Sequence, residues 1–134
     1  MRKVAVILRA LQLFAHNAHN LAKGHVFYQD HGQFAEFYKE YEEEYDDVVE
    51  RIIMFKGSCD LGAIASEAAS LVASSSSTDN EGSYLTILKT EESLQKALAE
   101  VMDEATYGTQ NLLQGIADKS EHRMYGIKRR LLKA

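Results

Sequence analysis

The sequence contains no proline and no tryptophan, and only 8 of its 134 residues are glycine. Proline breaks the interior of a helix and glycine weakens it, whereas alanine, leucine, glutamate and lysine, which are plentiful here, favour helices. Few residues are available for the tight turns that join strands. The composition therefore predicts an all-α protein with long, uninterrupted helices.

Long apolar runs and cysteine pairs are also missing. No segment approaches the ~18 consecutive apolar residues that span a bilayer, and the single cysteine, Cys59, excludes an intrachain disulfide. We therefore expect no membrane segment and a location in a reducing cytoplasm. The formal net charge of -5 disfavours nucleic acid as the default partner. The length fits one domain, residues 1–134, with one core.

Apolar residues recur at spacings of three and four along four long segments, as they do in amphipathic helices. Gly24 and Gly57 are natural stops for the first two. Thr90 is the predicted cap of the third, and residues 118–120 are the predicted break before the fourth. The predicted long helices span residues 4–23, 30–56, 90–116 and 121–133, with a short Ala-rich helix at 60–73 and a loop at Ser74–Ser77 that continues to Gly82.

A short helix between the second and third long helices makes that connection long enough to travel the length of a bundle. The pattern thus predicts a four-helix bundle with a long crossover, which is a feature of ferritin-like folds. An ordinary up-down bundle without a metal fits the helix pattern about equally well. The chemistry of the side chains has to distinguish the two.

Histidines cluster near the first helix junction, and four of the five are His16, His19, His25 and His31. His16 and His19 are three residues apart and share one face of a helix. Imidazole and carboxylate together form the ligand set of iron sites inside helical bundles. However, no helix contains a Glu-x-x-His pair, so the two-iron site that large ferritins build within one subunit cannot be assembled.

Carboxylates form two stripes on the second long helix, and repulsion between like charges four residues apart costs a few tenths of a kcal/mol per pair. The residue four positions after Asp46 is Glu50, and the residue four positions after Glu50 is Met54. Neither carboxylate therefore has a basic partner four residues ahead on its face. A bound cation would offset this repulsion, although such runs are more often a solvated helix face. The stripes are Glu42, Asp46 and Glu50, and beside them Glu43 and Asp47.

The segment Ala18-His19-Asn20-Leu21-Ala22-Lys23-Gly24, followed by Phe27, His31, Asp46 and Glu50-Arg51, resembles the signature of the Dps mini-ferritins, the DNA-binding proteins from starved cells. The spacing carries the match: histidine to glycine is five, histidine to histidine is twelve, and aspartate to glutamate is four. The predicted helix order extends the likeness to nearly the whole chain.

The resemblance implies that iron is bound by His19 and His31 of one chain together with Asp46 and Glu50 of a two-fold-related chain. It further implies a hollow dodecamer that oxidises ferrous iron with hydrogen peroxide or dioxygen and stores ferric mineral. His16 is an additional candidate ligand. Asp118 and Glu121 are candidates for an acidic pore, because the predicted turn between the last two long helices places them where family members build one.

Three features depart from the family pattern. Asn20 stands where the family has a tryptophan, and Ala35 replaces an acidic residue. The basic N-terminal tail is reduced to Arg2 and Lys3. The alternatives to an iron-oxidising storage protein are therefore a non-catalytic cage and a DNA-compacting protein. The last would use Lys128, Arg129, Arg130 and Lys133, and we expect weak, salt-sensitive DNA binding at most.

Overall fold

The computed structural model describes residues 1–75 and 77–133, which form five α-helices and contain no strand. The helices are α1 (Arg2–Leu21), α2 (Phe27–Lys56), α3 (Leu61–Ala73), α4 (Asn80–Met102) and α5 (Tyr107–Leu131). The predicted all-α class is confirmed, and none of these helices is both long and apolar enough to cross a membrane. Ser76 of the predicted loop and Ala134 lie outside the described residues.

Local signals in the sequence set the ends of the first three helices. Gly57 ends α2 in the left-handed conformation with φ +82°, and its N–H donates to the carbonyl of Ile53 at 2.7 Å. Gly24, with φ +91°, turns the chain between α1 and α2. The carboxylate of Asp60 caps α3 by accepting the N–H of Ala63. These helices lie close to their predicted bounds.

The predicted bounds of the last two long helices are wrong. α4 begins at Asn80, where the carboxylate of Asp79 accepts the N–H of Gly82. The chain turns at residues 103–106, and the hydroxyl of Thr106 caps α5. The predicted cap, Thr90, lies inside α4 and donates its hydroxyl to the carbonyl of Thr86 instead. A hydroxyl or carboxylate caps a helix only where the preceding residues are not helical. The residues before Thr90 are helical, and the sequence alone did not reveal this.

Asp118 and Glu121 lie in the middle of α5, so their predicted position at a turn is also wrong. Ser120, between them, is buried and donates its hydroxyl to Glu91. Polar residues cost a helix interior only a fraction of a kcal/mol each, so a tertiary contact of this kind keeps the segment helical. These two residues therefore do not lie at a helix junction, where an acidic pore was expected.

Contacts between α2 and α4 show that these two helices run in the same direction. Near their N-termini, Tyr84 donates to Asp30, and further along both helices Tyr41 donates to Glu91. Two successive long helices that are parallel need a connection that travels back along the bundle. Residues 57–79 supply this connection, and they include α3, which packs against α1.

α1 and α5 run antiparallel to α2 and α4. Lys3 at the start of α1 pairs with Glu100 near the end of α4, while Asn80 at the start of α4 bonds the backbone of Lys23 just after α1. Arg130, near the end of α5, pairs with Asp30 near the start of α2. The four long helices enclose one apolar core, whose largest fully buried side chains include Leu8, Leu11, Phe34, Ile64, Ile87, Leu94, Leu98, Leu113 and Ile127.

An ionic cluster lies inside this core around Arg123 of α5. The guanidinium donates to Glu44 of α2 and Glu91 of α4, each at 2.6 Å, and to the partly exposed Glu40 at 3.1 Å. It also lies 4.5 Å from the centre of the Tyr41 ring. Burial raises the pKa of both Glu44 and Glu91, and the guanidinium acts in the opposite direction. Arg123 therefore links α5 to α2 and α4 and neutralises carboxylates that would be costly to bury without a cation.

Replacing Arg123 with alanine should destabilise the fold strongly. Glu44 and Glu91 would remain buried without a cation, and breaking a buried ion pair from one side costs about 3–5 kcal/mol. Chemical denaturation at neutral pH measures the loss. The matched control is Arg129→Ala, which removes an exposed arginine of the same helix and should change stability by less than about 0.5 kcal/mol. Equal effects of the two substitutions would show that the cluster is unimportant.

The stability deficit of Arg123→Ala should shrink as the pH falls. Glu44 and Glu91 have raised pKa values in the folded protein, so the folded state binds more protons than the unfolded state above their ordinary pKa. Their contribution is present at low pH and is lost as the pH rises through the folded pKa. Losing the guanidinium raises both pKa values further. Denaturation of both proteins at neutral and mildly acidic pH measures the difference, and a deficit that grows on acidification would contradict this account.

Candidate metal centre

His19 and His31 form a tightly interlocked pair where α1 meets α2. Their rings stack with centroids 3.7 Å apart. The Nδ1 atom of His19 lies 2.7 Å from the carbonyl oxygen of His31, and the Nδ1 atom of His31 lies 2.8 Å from the carbonyl oxygen of His19. The five-residue turn around Gly24 brings the end of one helix against the start of the next. The structure thus brings together the two histidines that the sequence singles out.

These reciprocal hydrogen bonds fix which ring nitrogen carries the proton. A carbonyl oxygen only accepts hydrogen bonds, so each Nδ1 must donate. In the neutral imidazole the proton is then on Nδ1, and Nε2 keeps its lone pair. Histidines that bind metals are oriented in this way by a hydrogen bond from the other ring nitrogen. Both residues are half-buried and therefore partly open to solvent.

Aromatic rings surround the pair on both sides. Phe27 stacks on His31 with centroids 4.8 Å apart, and Tyr38 meets His19 edge-on at 5.5 Å. The exposed ring of His16 lies flat on Tyr38 at 4.3 Å, and its centroid is 6.3 Å from that of His19. His16 is therefore close to the pair, but its ring stacks on a tyrosine. That His16 binds the metal stays a prediction.

Asp46 and Glu50 are exposed on α2 and share one face of that helix. Neither side chain makes a hydrogen bond or an ion pair within residues 1–75 and 77–133. Arg51, the nearest cation along the helix, donates instead to the hydroxyl of Thr109 on α5. The two carboxylates are thus available to a cation from outside the chain.

A single chain does not bring the histidines and carboxylates together. Asp46 follows His31 by fifteen residues on α2, which is roughly 22 Å along a helix axis. Within the described part of the chain, no group of three or more histidine, cysteine, aspartate or glutamate side chains is placed to hold a metal ion. Within one chain the half-buried histidine pair and the exposed carboxylates are therefore separate.

Sequence reasoning missed the buried cluster around Arg123. Glu91 directly follows Thr90, the predicted cap, yet it lies mid-way along α4 and is fully buried. A signal was present, because Ile116, Ser120, Arg123 and Ile127 recur at spacings of three and four. An arginine on such an apolar stripe indicates a buried ion pair.

The basic residues at the C-terminus do not project together. Arg130 turns inward, where its Nε and Nη2 donate to Asp30 at 3.0 and 2.7 Å. That pairing, with hydrogen bonds from Asn80 and Tyr84, lowers the pKa of Asp30 against the opposing effect of its burial. Lys128, Arg129 and Lys133 remain exposed. The candidate DNA-binding cluster thus loses one of its four charges to the fold.

Comparisons with known proteins do not assign a function to this site. Neither protein-family models nor curated proteins give a match to the chain. The interlocked histidine pair and the unpaired carboxylates of α2 are therefore the observations on which a function has to rest.

The hydrogen bonds of the pair predict an unusual histidine tautomer. In solution at neutral to mildly alkaline pH, His19 and His31 should carry their proton on Nδ1, whereas the exposed His25 should show the Nε2–H form that free imidazole side chains prefer. Long-range ¹H–¹⁵N correlation spectra of histidine-labelled protein distinguish the two forms. Finding the proton on Nε2 of both residues would contradict the reciprocal hydrogen bonds.

Proposed function

We propose that this chain is an iron-oxidising, iron-storing mini-ferritin of the Dps type. The observation that carries the proposal is the His19–His31 pair, whose two Nε2 atoms are held free for a metal by reciprocal Nδ1 hydrogen bonds. Imidazole nitrogen and carboxylate oxygen together suit ferrous iron. The substrate is ferrous iron, and the activity is that of a ferroxidase.

The topology supports a ferritin-like bundle. Parallel α2 and α4, antiparallel α1 and α5, and a long crossover that contains a short helix match the arrangement that the resemblance implies. An up-down bundle would make α2 and α4 run in opposite directions. The helix pattern of the sequence left these two arrangements open, and the contacts of α2 with α4 favour the first.

A second copy of the chain completes the ligand set. If two α2 helices pack antiparallel about a two-fold axis near residues 38 and 39, His31 of one copy faces Asp46 of the other, since these residues lie equally far on either side of that point. His19 and Glu50 accompany them as neighbours. Such an interface holds two equivalent sites. Small side chains at Gly32 and Ala35 leave room for a partner helix on this part of α2.

The chemistry at each site follows from its ligands. Neutral imidazoles and ionised carboxylates bind ferrous iron, and the carboxylates stabilise the additional charge of the ferric product. Two ferrous ions reduce one hydrogen peroxide molecule to water, and dioxygen is the alternative oxidant. The ferric product then moves into the cavity of the closed oligomer and mineralises.

Solution measurements test the assembly and the activity separately. Light scattering with size-exclusion chromatography should give a closed oligomer of twelve subunits, because the ligand set is complete only between chains. Anaerobic ferrous titration followed by peroxide should then produce ferric absorbance. A stable monomer at micromolar concentration would exclude the proposal, and an assembled shell that fails to oxidise iron would favour the non-catalytic cage.

A mixture of two inactive variants should recover oxidation. A chain with His19→Ala and His31→Ala lacks one half of each site, and a chain with Asp46→Ala and Glu50→Ala lacks the other. A two-fold pair with one chain of each type contains one complete site and one empty site. Ferric absorbance after unfolding and joint reassembly should reach a substantial fraction of the wild-type value, while each variant alone stays near the uncatalysed rate.

The neighbouring acidic stripe provides a matched control. A chain with Glu43→Ala and Asp47→Ala loses the same two residue types from the same helix and should oxidise iron at nearly the wild-type rate. Because the four carboxylates are exposed, the two carboxylate variants should keep the stability of the wild type within about 0.5 kcal/mol per substitution. The histidine variant also loses two hydrogen bonds, each worth about 1 kcal/mol. Correctly sized mixed shells without activity would rule out a site shared between subunits.

A further inference from the structure

A cavity of about 410 Å³ lies between α2 and α5. Residues of these two helices line it together with Tyr84 of α4, and none of the proposed iron ligands is among them. One water molecule occupies about 30 Å³ in the liquid, and pockets that bind small molecules measure roughly 300–1,000 Å³. The space is therefore large enough for a small organic molecule.

Two ion pairs and a glycine keep α2 and α5 apart at this place. Arg123 donates to Glu40 at 3.1 Å, and Arg130 donates to Asp30 at 2.7 Å. The two arginines are seven residues apart, or roughly 10 Å along the axis of α5. Gly126 lies between them, and a Cβ atom added there would meet no atom within 4 Å in the described part of the chain. The fold thus forms the cavity before any ligand binds, which lowers the entropic cost of binding.

Part of the lining is apolar. Phe37, Tyr84 and Ile127 are side chains of the core that are at most 4% exposed. The hydroxyl of Tyr84 already donates to Asp30, so this tyrosine needs no hydrogen bond from a ligand. An apolar group that packs against these side chains is removed from water, which favours its binding.

Other side chains of the lining can bind the polar end of a ligand. Lys119, which is exposed on α5, makes no ion pair in the described part of the chain, and the amides of Gln29 and Gln33 make no hydrogen bond there. The carboxylates of Asp30 and Glu40 are already bound to arginines. An ammonium group only donates hydrogen bonds and carries a positive charge. The polar groups left free therefore favour a ligand with a negative charge.

We propose that this cavity is a binding site for a small organic anion. The apolar body of the ligand packs against Phe37, Tyr84 and Ile127, and its carboxylate or sulfonate group binds the ammonium of Lys119. The two ion pairs cross the space about 10 Å apart, so it holds a small molecule rather than a helix of another chain. The site lies within one chain and does not rest on the proposed function.

Fluorescence titration of the purified protein with anilinonaphthalene sulfonate, an aromatic anion whose emission rises in apolar surroundings, tests the site. Emission should increase and saturate at one dye molecule per chain. Naphthoate should displace the dye, and naphthalenemethanol, in which a neutral hydroxymethyl group replaces the carboxylate, should displace it several-fold less well. The absence of saturable binding would overturn the site, and equal displacement by the two compounds would overturn its preference for an anion.

Gly126→Leu fills the cavity without removing a side chain. Dye binding should weaken by roughly tenfold or more, because the leucine occupies the space that the ligand needs. The matched control is Gly115→Leu, since Gly115 is an exposed glycine on the same face of α5 that does not line the cavity. Leucine favours a helix more than glycine does, so both variants should fold. Unchanged dye binding by Gly126→Leu would place the dye elsewhere on the surface and contradict the proposal.

A pair of lysine variants tests the contact with the anionic group. Lys119→Gln removes the charge from the cavity and should weaken binding of the dye by about two- to fivefold, as expected for an ion pair partly open to solvent. Lys128→Gln removes an exposed charge of the same helix outside the lining and should leave binding unchanged. If both variants weaken binding to the same extent, the assignment of Lys119 as the anion's partner is wrong.

Discussion

The ion pairs of Arg123 hold the bundle in the arrangement on which the site depends. One guanidinium binds carboxylates from α2 and α4 inside the core, so three of the four long helices are fixed relative to each other. A buried carboxylate without a cation is costly, which makes any alternative packing of α5 unfavourable. With α5 held in place on α2 and α4, the exposed face of α2 is left to other contacts, and that face carries Asp46 and Glu50.

α2 positions both halves of the proposed iron site. Its N-terminal end carries His31, which is locked to His19 by two hydrogen bonds, and Asp46 and Glu50 lie in its C-terminal half. A helix is too stiff to fold these residues onto each other. In an antiparallel pair of α2 helices, however, the N-terminal half of each helix lies beside the C-terminal half of its partner. The same separation then places the histidines of one chain next to the carboxylates of the other. Under the proposed function, the antiparallel pairing of two α2 helices therefore both joins the subunits and completes the iron site.

The parts of this structure that depend on local chemistry could be predicted from the sequence. The turn at Gly24 and the cap at Gly57 followed from glycine's tolerance of positive φ. That His19 and His31 meet was implied by the resemblance to the mini-ferritin signature. The break at residues 118–120 was wrong because Ser120 is stabilised by Glu91, a contact across helices that no local pattern reveals. The partners of Arg123 were missed for the same reason. The carboxylate half of the site stays a prediction, since its partner is another chain.

Anomalous diffraction at the iron absorption edge, from crystals of the assembled protein loaded with ferrous iron without oxygen, tests the central claim most directly. Iron should lie between two subunits, bound by Nε2 of His19 and His31 from one and by the carboxylates of Asp46 and Glu50 from the other. Iron bound only by residues of one chain, or located in the core beside Glu44 and Glu91, would contradict it.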